Sequence, residues 1–420
     1  MNSLYRKPLY ILLSGLLVSV LACDRRADES ANSERRQSSK AAPEKSNEPG
    51  GRERREKLTE IDAEIRRSIV RHYTTLAHAA YTDSLERTER LAETAEYLGE
   101  KPSPDALKAA RQAWLEARKP FARATVFAYE GSPIHREGRH ARLDSWPVDG
   151  AYVDSLPQRE ETGFVNNPDK RLSDDSIAEL TKNDGSGRVA AGYNAIEFVL
   201  WGAETEKGRA GRRHTDFKTG SGATAPNADR RTRYLRVAVE LLLHDLAALV
   251  EAWSPEADAN YHGELTSMEH RESIARIFAG LDYATGDYLI ERQLRGPLQG
   301  NTPRDISSPY SDSTRAELLQ VARSIAHTYR GVYQRTDNSS VEGPGVGEIV
   351  ATLLPDLDEK LREQFDSSID AIGEIPTPLD EAMTGEQGRA AVEKAIERLE
   401  AQRATLRRIG EILGLDLDVE

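Results

Sequence analysis

The chain has 420 residues, a formal net charge of −13 and 30% charged side chains. No basic face dominates such a composition, which argues against a nucleic-acid partner. Cys23 is its single cysteine, so no disulfide framework can form.

The chain opens "MNSLYRKPLYILLSGLLVSVLAC", with Arg6 and Lys7 ahead of an apolar run from Leu9 to Leu21. That run is too short for a good membrane span and has the build of a signal-peptide core. Its end, Val20-Leu21-Ala22-Cys23, resembles the lipobox of bacterial lipoproteins, where the signal is cut before the cysteine and its thiol is acylated. The expectation is a signal peptide over 1–22 and a lipid on Cys23 that anchors the protein in the bacterial envelope, on the periplasmic side or at the cell surface. Residues 23–56 carry almost no large apolar side chain, cannot offset their ordering entropy and are expected to form a disordered tether.

The remainder is long enough for one large domain or two. A helix is expected over 57–80, with Leu58, Ile61, Ile65 and Ile69 on one side, and another over 104–119, with Pro104 suited to its first turn. Residues 131–185 read as irregular. "GYNAIEFVLWG", 192–202, reads as a short helix closing on Gly202, with Trp201 in the core. Residues 203–228, rich in Gly, Arg and Thr, read as a flexible loop. That loop is the expected boundary between an N-terminal bundle, 57–205, and a C-terminal bundle, 229–420.

Beyond it, Leu235, Val239, Leu242, Leu246, Leu249 and Trp253 make one buried stripe, with Arg236, Glu240 and Asp245 on other faces. Leu318, Ala322, Ile325, Tyr329 and Val332 repeat the pattern, and Thr314 with Glu317 has the spacing of a capping box. The last helix runs on Val392, Ile396, Leu399, Leu406, Ile409 and Leu413 and stops at Gly414. No alternating strand pattern stands out, so the fold class is all-α, two helical-bundle halves joined by long loops.

The chemistry is sparse. The sequence has no His-Glu-x-x-His motif, no Gly-x-Ser-x-Gly elbow and no phosphate-binding glycine loop. His135 and His140, in an Arg-rich loop, read as surface residues, as do His262 and His270 beside a turn. Asn194 and Glu197 lie three apart and share a helix face. They fit a polar or metal site, a surface pair, or a buried pair fixing how helices meet. Gly192 fits close helix packing. Ser311, Asp312 and Ser313 fit helix-start residues, and Arg118 fits a core partner for a carboxylate.

"GYNAIEFVLWG" resembles the signature of the imelysin family, Gly-x-His-x-x-Glu followed by a Leu-Leu-Trp-Gly-like tail. "WLEARKPFARATVFAYEGSPI" (114–134), "DSWPVDGAYVD", "SSPYSDSTRAEL" (307–318), "EIPTPLDEAM" and the Leu-Gly-Leu of 413–415 resemble further family segments, in the same order. The resemblance implies an all-helical fold in two halves, export, often a lipid anchor, an association with iron uptake, and a classification among metallopeptidases with a site on the motif His and Glu. The chain departs from the pattern at Asn194, which replaces that His, at Thr125 in place of a Glu, and at Ala128 near a position often Arg. An amide nitrogen gives no lone pair to a transition metal, and an amide oxygen is a weak, hard ligand. Glu197 stays as the candidate metal ligand and, in a peptidase, the candidate base. Calcium-like coordination by Asn194, Glu197 and Asp312 is the oxygen-only alternative.

The ligand-binding set implied is Gly192, Asn194, Glu197, Arg118, Ser311 and Asp312, with a divalent cation or iron as the cofactor class. The expected function is that of an exported, lipid-anchored, non-catalytic binding protein linked to iron or haem acquisition, working with the membrane and with partner proteins of that system. The alternative is a metal-dependent peptidase, which needs a metal-activated water and a general base.

Overall fold

Asp62 accepts a hydrogen bond from Glu64 N at 2.7 Å, and helix α1, Ala63–Glu100, starts there. The computed structural model that shows this describes residues 58–418 except 157–160, 182–185, 204–210, 258 and 303. The expected signal, Cys23 and the tether lie outside the described residues. Leu58 and Ile61 are buried ahead of α1, in and after a short 3-10 turn. They are therefore out of phase with the helix, and Ile65, expected beside them, is 44% exposed. The buried seam runs instead through Ile69, Tyr73, Leu76, Tyr81, Leu91 and Leu98, well past the expected end at residue 80.

Helix α2, Pro104–Arg123, follows, with Ser103 Oγ accepting from Ala106 N at 3.1 Å and Pro104 in the first turn, where it loses no helical bond. The stretch over 131–185 is less irregular than its composition suggests, with helical turns at Arg139–Leu143, Gly150–Val153 and Asp174–Leu180. Helix α3, Gly192–Trp201, is buried at every residue. Apart from Asn194 and Glu197 its side chains are apolar or aromatic on every face, so it has no side to offer water and sits in the core.

Its first residue has to be glycine. Gly192 has φ +86°, and a Cβ there would lie 2.6 Å from both Arg142 O and Leu143 O. Gly192→Ala therefore combines backbone strain with a clash against two fixed carbonyls. The expected loss is about 2–4 kcal/mol in denaturant unfolding. A loss under about 1 kcal/mol would mean that the 142–143 turn yields.

Helix α4, Ala228–Trp253, buries the whole expected stripe from Leu235 to Trp253. It packs along α1, which also contacts α2, so segments before and after the loop share one core. Asp245, expected on a polar face, is only 2% exposed, because Arg142 grips it with Nε and Nη2 at 2.7 and 2.5 Å. Helix α5, His270–Tyr283, runs on into a π-helix over Ala284–Arg295. Such widened turns recur at functional sites.

Helix α6, Thr314–Arg330, ends at Gly331 with φ +78°. A small antiparallel hairpin, Val332–Gln334 with Ser340–Glu342, follows and is the one departure from all-α among the described residues. Strands of three residues are too short to show alternation in sequence. Helices α7, Pro355–Glu374, and α8, Glu386–Leu413, pack together. The α8 stripe from Val392 to Leu413 is buried as expected, and Gly414 closes it at φ +66°.

Candidate functional site

Glu197 has 0% exposure in the middle of α3. Its Oε1 accepts from the backbone N–H groups of Tyr310 and Ser311 at 3.1 and 2.7 Å and from Ser311 Oγ at 2.6 Å. A side chain of α3 therefore ties down the turn that leads into α6. Oε2 is enclosed and has no hydrogen-bond partner among the described residues. Burial pushes the carboxyl up to about 8; the hydroxyl of Ser311 pulls against this, and the charge of Glu317 adds to it. Glu197 is thus largely protonated at neutral pH.

Asn194 lies one turn earlier on the same face, 1% exposed. Its Nδ2 donates to Ser145 O at 3.0 Å, and its Oδ1 has no partner among the described residues. The neighbouring turn of α3 is fixed by Trp114 Nε1, which donates to Tyr193 O at 2.9 Å, and by the Tyr193 and Thr88 hydroxyls, 3.0 Å apart.

A polar chain leads from Glu197 to Arg118. Ser311 Oγ lies 2.9 Å from Ser313 Oγ, which donates to Glu317 Oε1 at 2.8 Å. Glu317 Oε2 accepts from Ser307 Oγ at 3.1 Å and from Arg118 Nη2 and Nε at 2.7 and 3.2 Å. Arg118 Nη1 donates to Asp144 Oδ1 at 2.8 Å. One buried guanidinium therefore faces two buried carboxylates. Burial alone would discharge it, but Asp144 and Glu317 outweigh burial and hold it charged. The Tyr193 ring, 5.2 Å from the guanidinium carbon, covers one side.

Beyond Asp144 is a cavity of about 10 Å³, room for one water, lined in part by Tyr81, Thr125, Ala128, His140 and Tyr288. His140 is no plain surface residue. It stacks on His135 at 4.9 Å, and burial lowers its pKa to about 4, so the ring is neutral. Thr125 and Ala128, two positions where the chain departs from the family pattern, meet at this cavity.

The structure gathers Gly192, Asn194, Glu197 and Ser311 at one place and links Arg118 to them through Ser313 and Glu317. Asp312 does not join them, being exposed at φ +57°. Glu317 is not the second half of a capping box; its carboxylate is taken by Arg118, Ser307 and Ser313, while Thr314 Oγ1 accepts from Ser308 N at 3.1 Å. Asp144, Ser307 and the Ser145 carbonyl carried no sequence expectation, and Glu317 only that of a helix-start residue. The signal for Asp144 and Ser145 was the "DSWPVDGAYVD" segment they open.

These residues do not fit a transition-metal site. Glu197 Oε1 is saturated by three donors, Asn194 offers at most an amide oxygen, and the nearest carboxylate, Glu317, is spent on Arg118. Among the described residues no three His, Cys, Asp or Glu side chains stand together to hold a metal ion. What the arrangement supplies is two buried oxygens without a partner among the described residues, Glu197 Oε2 and Asn194 Oδ1, on one face of α3.

The imelysin family model matches residues 77–406. Iron-regulated protein A of Synechococcus elongatus is 25% identical over 323 residues, which cover 73% of this chain and 75% of that protein. Two solved structures share the fold. One, from Parabacteroides distasonis and named as an iron-regulated protein A precursor, has a TM-score of 0.64 at 18% identity, covering 84% of this chain and 96% of that one. The other, an imelysin-like protein of Psychrobacter arcticum, has a TM-score of 0.63 at 14% identity, covering 86% and 98%.

Proposed function

This chain belongs to the imelysin family, and from that premise we propose that it is a binding protein of the bacterial envelope, linked to iron or haem acquisition, and not a metallopeptidase. The observation that carries the reading is how the motif carboxylate is used. Glu197 accepts three hydrogen bonds from the 310–311 turn, and burial keeps it largely protonated near neutrality. A peptidase needs that group free and ionised, to bind a metal or to take a proton from water. A latch between α3 and α6 needs it where it stands. The name of the cyanobacterial relative supports the link to iron.

The deciding measurement is metal content after incubation with zinc or iron, followed by peptide hydrolysis. The expected result is no stoichiometric retained metal and no turnover. Tightly held zinc, with turnover lost in Glu197→Ala, would overturn the reading.

Anchoring is a separate element of the proposal. Lipid on Cys23 would hold the folded body at a membrane, near partner proteins of the same uptake system. Cys23→Ser is expected to move the protein from the membrane fraction to the soluble one, with its thermal unfolding unchanged. Persistence in the membrane fraction would remove Cys23 as the anchor.

A further inference from the structure

A second polar centre lies at the other end of α3, in residues no part of the motif reading uses. Asp154 is fully buried and accepts from five donors. Its Oδ2 takes Arg212 Nη2 at 2.8 Å and Arg231 Nε at 2.5 Å. Its Oδ1 takes Arg231 Nη2 at 2.9 Å, Ser155 N at 2.7 Å and Asn166 Nδ2 at 3.1 Å. Nearby, Arg111 is fixed by Nε to Leu200 O and Nη2 to Arg212 O, at 3.0 and 2.9 Å. The other carboxylate in reach, Asp216, accepts from Arg213 N and Thr224 Oγ1 at 2.8 and 2.7 Å. Arg213 Nη2 also lies 3.6 Å from Asp216 Oδ1, on a side chain that is 62% exposed. Four guanidinium groups, of Arg111, Arg212, Arg213 and Arg231, thus stand against two carboxylates, and the balance at this centre is positive.

The buried member with a donor to spare is Arg212. Its side chain is 5% exposed. Nε donates to Val199 O at 3.0 Å and Nη2 to Asp154, whereas Nη1 has no hydrogen-bond partner among the described residues. Nη1 is also not among the enclosed orphan atoms. Arg212 forms part of the wall of an open groove of about 350 Å³, with Leu156, Gly202, Arg213, Thr224 and Ala225. Burial pulls the Arg212 pKa below its usual value, against the attraction of Asp154. A charged side chain held this deep with a donor unused is costly unless something accepts from it.

We propose that this groove is a binding site for a small organic monocarboxylate, whose oxygen accepts from Arg212 Nη1 and whose short apolar body lies along Leu156 and Ala225. A carboxylate supplies negative charge to this positive centre, and with Nε and Nη2 already taken a charge-assisted contact from Nη1 to one oxygen is what Arg212 has left to give. Asp216, on the same wall, disfavours a more highly charged anion such as phosphate.

The test is titration of the full chain with sodium butyrate at constant ionic strength, read by calorimetry and thermal shift, with chloride and inorganic phosphate as comparators. Saturable binding of butyrate is expected, with a rise in Tm. Phosphate is expected to bind at least tenfold more weakly. Arg212→Lys keeps the charge but loses the fork and is expected to weaken butyrate at least tenfold. Should that variant fold poorly, Ala225→Trp fills the groove without touching the ion pairs and is expected to abolish binding in a folded protein. Butyrate binding no better than chloride, phosphate binding as tight as butyrate, or butyrate binding retained in Ala225→Trp would each overturn the proposal.

Discussion

Replacing Arg118 by methionine is expected to lower stability by about 3–5 kcal/mol at neutral pH, because it strands two carboxylates in the interior. Asp144 and Glu317 are 4% and 3% exposed, and Arg118 bonds directly to both. Methionine fills much of the same volume, so the cost measures uncompensated charge, not a cavity. Two consequences separate this from a packing defect. The deficit should shrink as the pH is lowered, since protonation removes the stranded charge. The triple variant Arg118→Met, Asp144→Asn, Glu317→Gln should also recover most of the loss, since its buried groups are neutral. Denaturant unfolding from pH 4 to 8 checks both. A deficit independent of pH, or a triple variant as unstable as the single one, would show that the guanidinium acts by shape alone.

The same cluster shows where the sequence stops being legible. The stripes of α4 and α8 could be read because each repeats over more than three turns, and local periodicity fixes which side is buried. The motif at 192–202 was legible as a short helix with a polar pair on one face and Trp201 in the core, and Gly202 as its stop. Glu317 was not legible as a partner of Arg118. Its spacing from Thr314 gave it a complete local explanation, while its true partner lies 199 residues away. Asp245 was placed on a solvent face for the same reason, since a polar residue on an amphipathic helix looks exposed unless a distant cation is known. Arg212 fell in a stretch read as a flexible loop, although it is 7% exposed and held by Val199 O and Asp154. Buried ion pairs join positions remote in sequence and leave no periodic trace, so the polar interior was the part least recoverable.

Glu197→Gln should make the protein more stable at pH 8 and leave it nearly unchanged at pH 4. The sign follows from linkage. In the unfolded chain the carboxyl titrates near 4.5, and in the fold near 8. Below the lower value both states hold the proton, and nothing is lost. Between the two the fold keeps a proton that the unfolded chain releases, so stability falls as pH rises, by up to about 1.4 kcal/mol per unit. Glutamine copies the neutral form. Its oxygen can accept from Tyr310 N and from Ser311, as Glu197 Oε1 does. The wild-type curve alone would mislead in the lower half of the window. Burial holds His140 neutral down to about 4, and this term costs stability as pH falls below 6.5, opposite in sign to Glu197. Asp154, held at about 2 despite its burial by Arg212 and Arg231, loses its contribution only below its usual value and lies outside the window. The difference between wild type and variant cancels both. It should be near zero at pH 4 and grow to several kcal/mol by pH 8, with a protonated-carboxyl band at neutral pH in infrared difference spectra of the wild type. Parallel stability curves and no such band would mean that Glu197 is ionised in the fold, and with it would go the argument that the motif carboxylate is a latch and not a base.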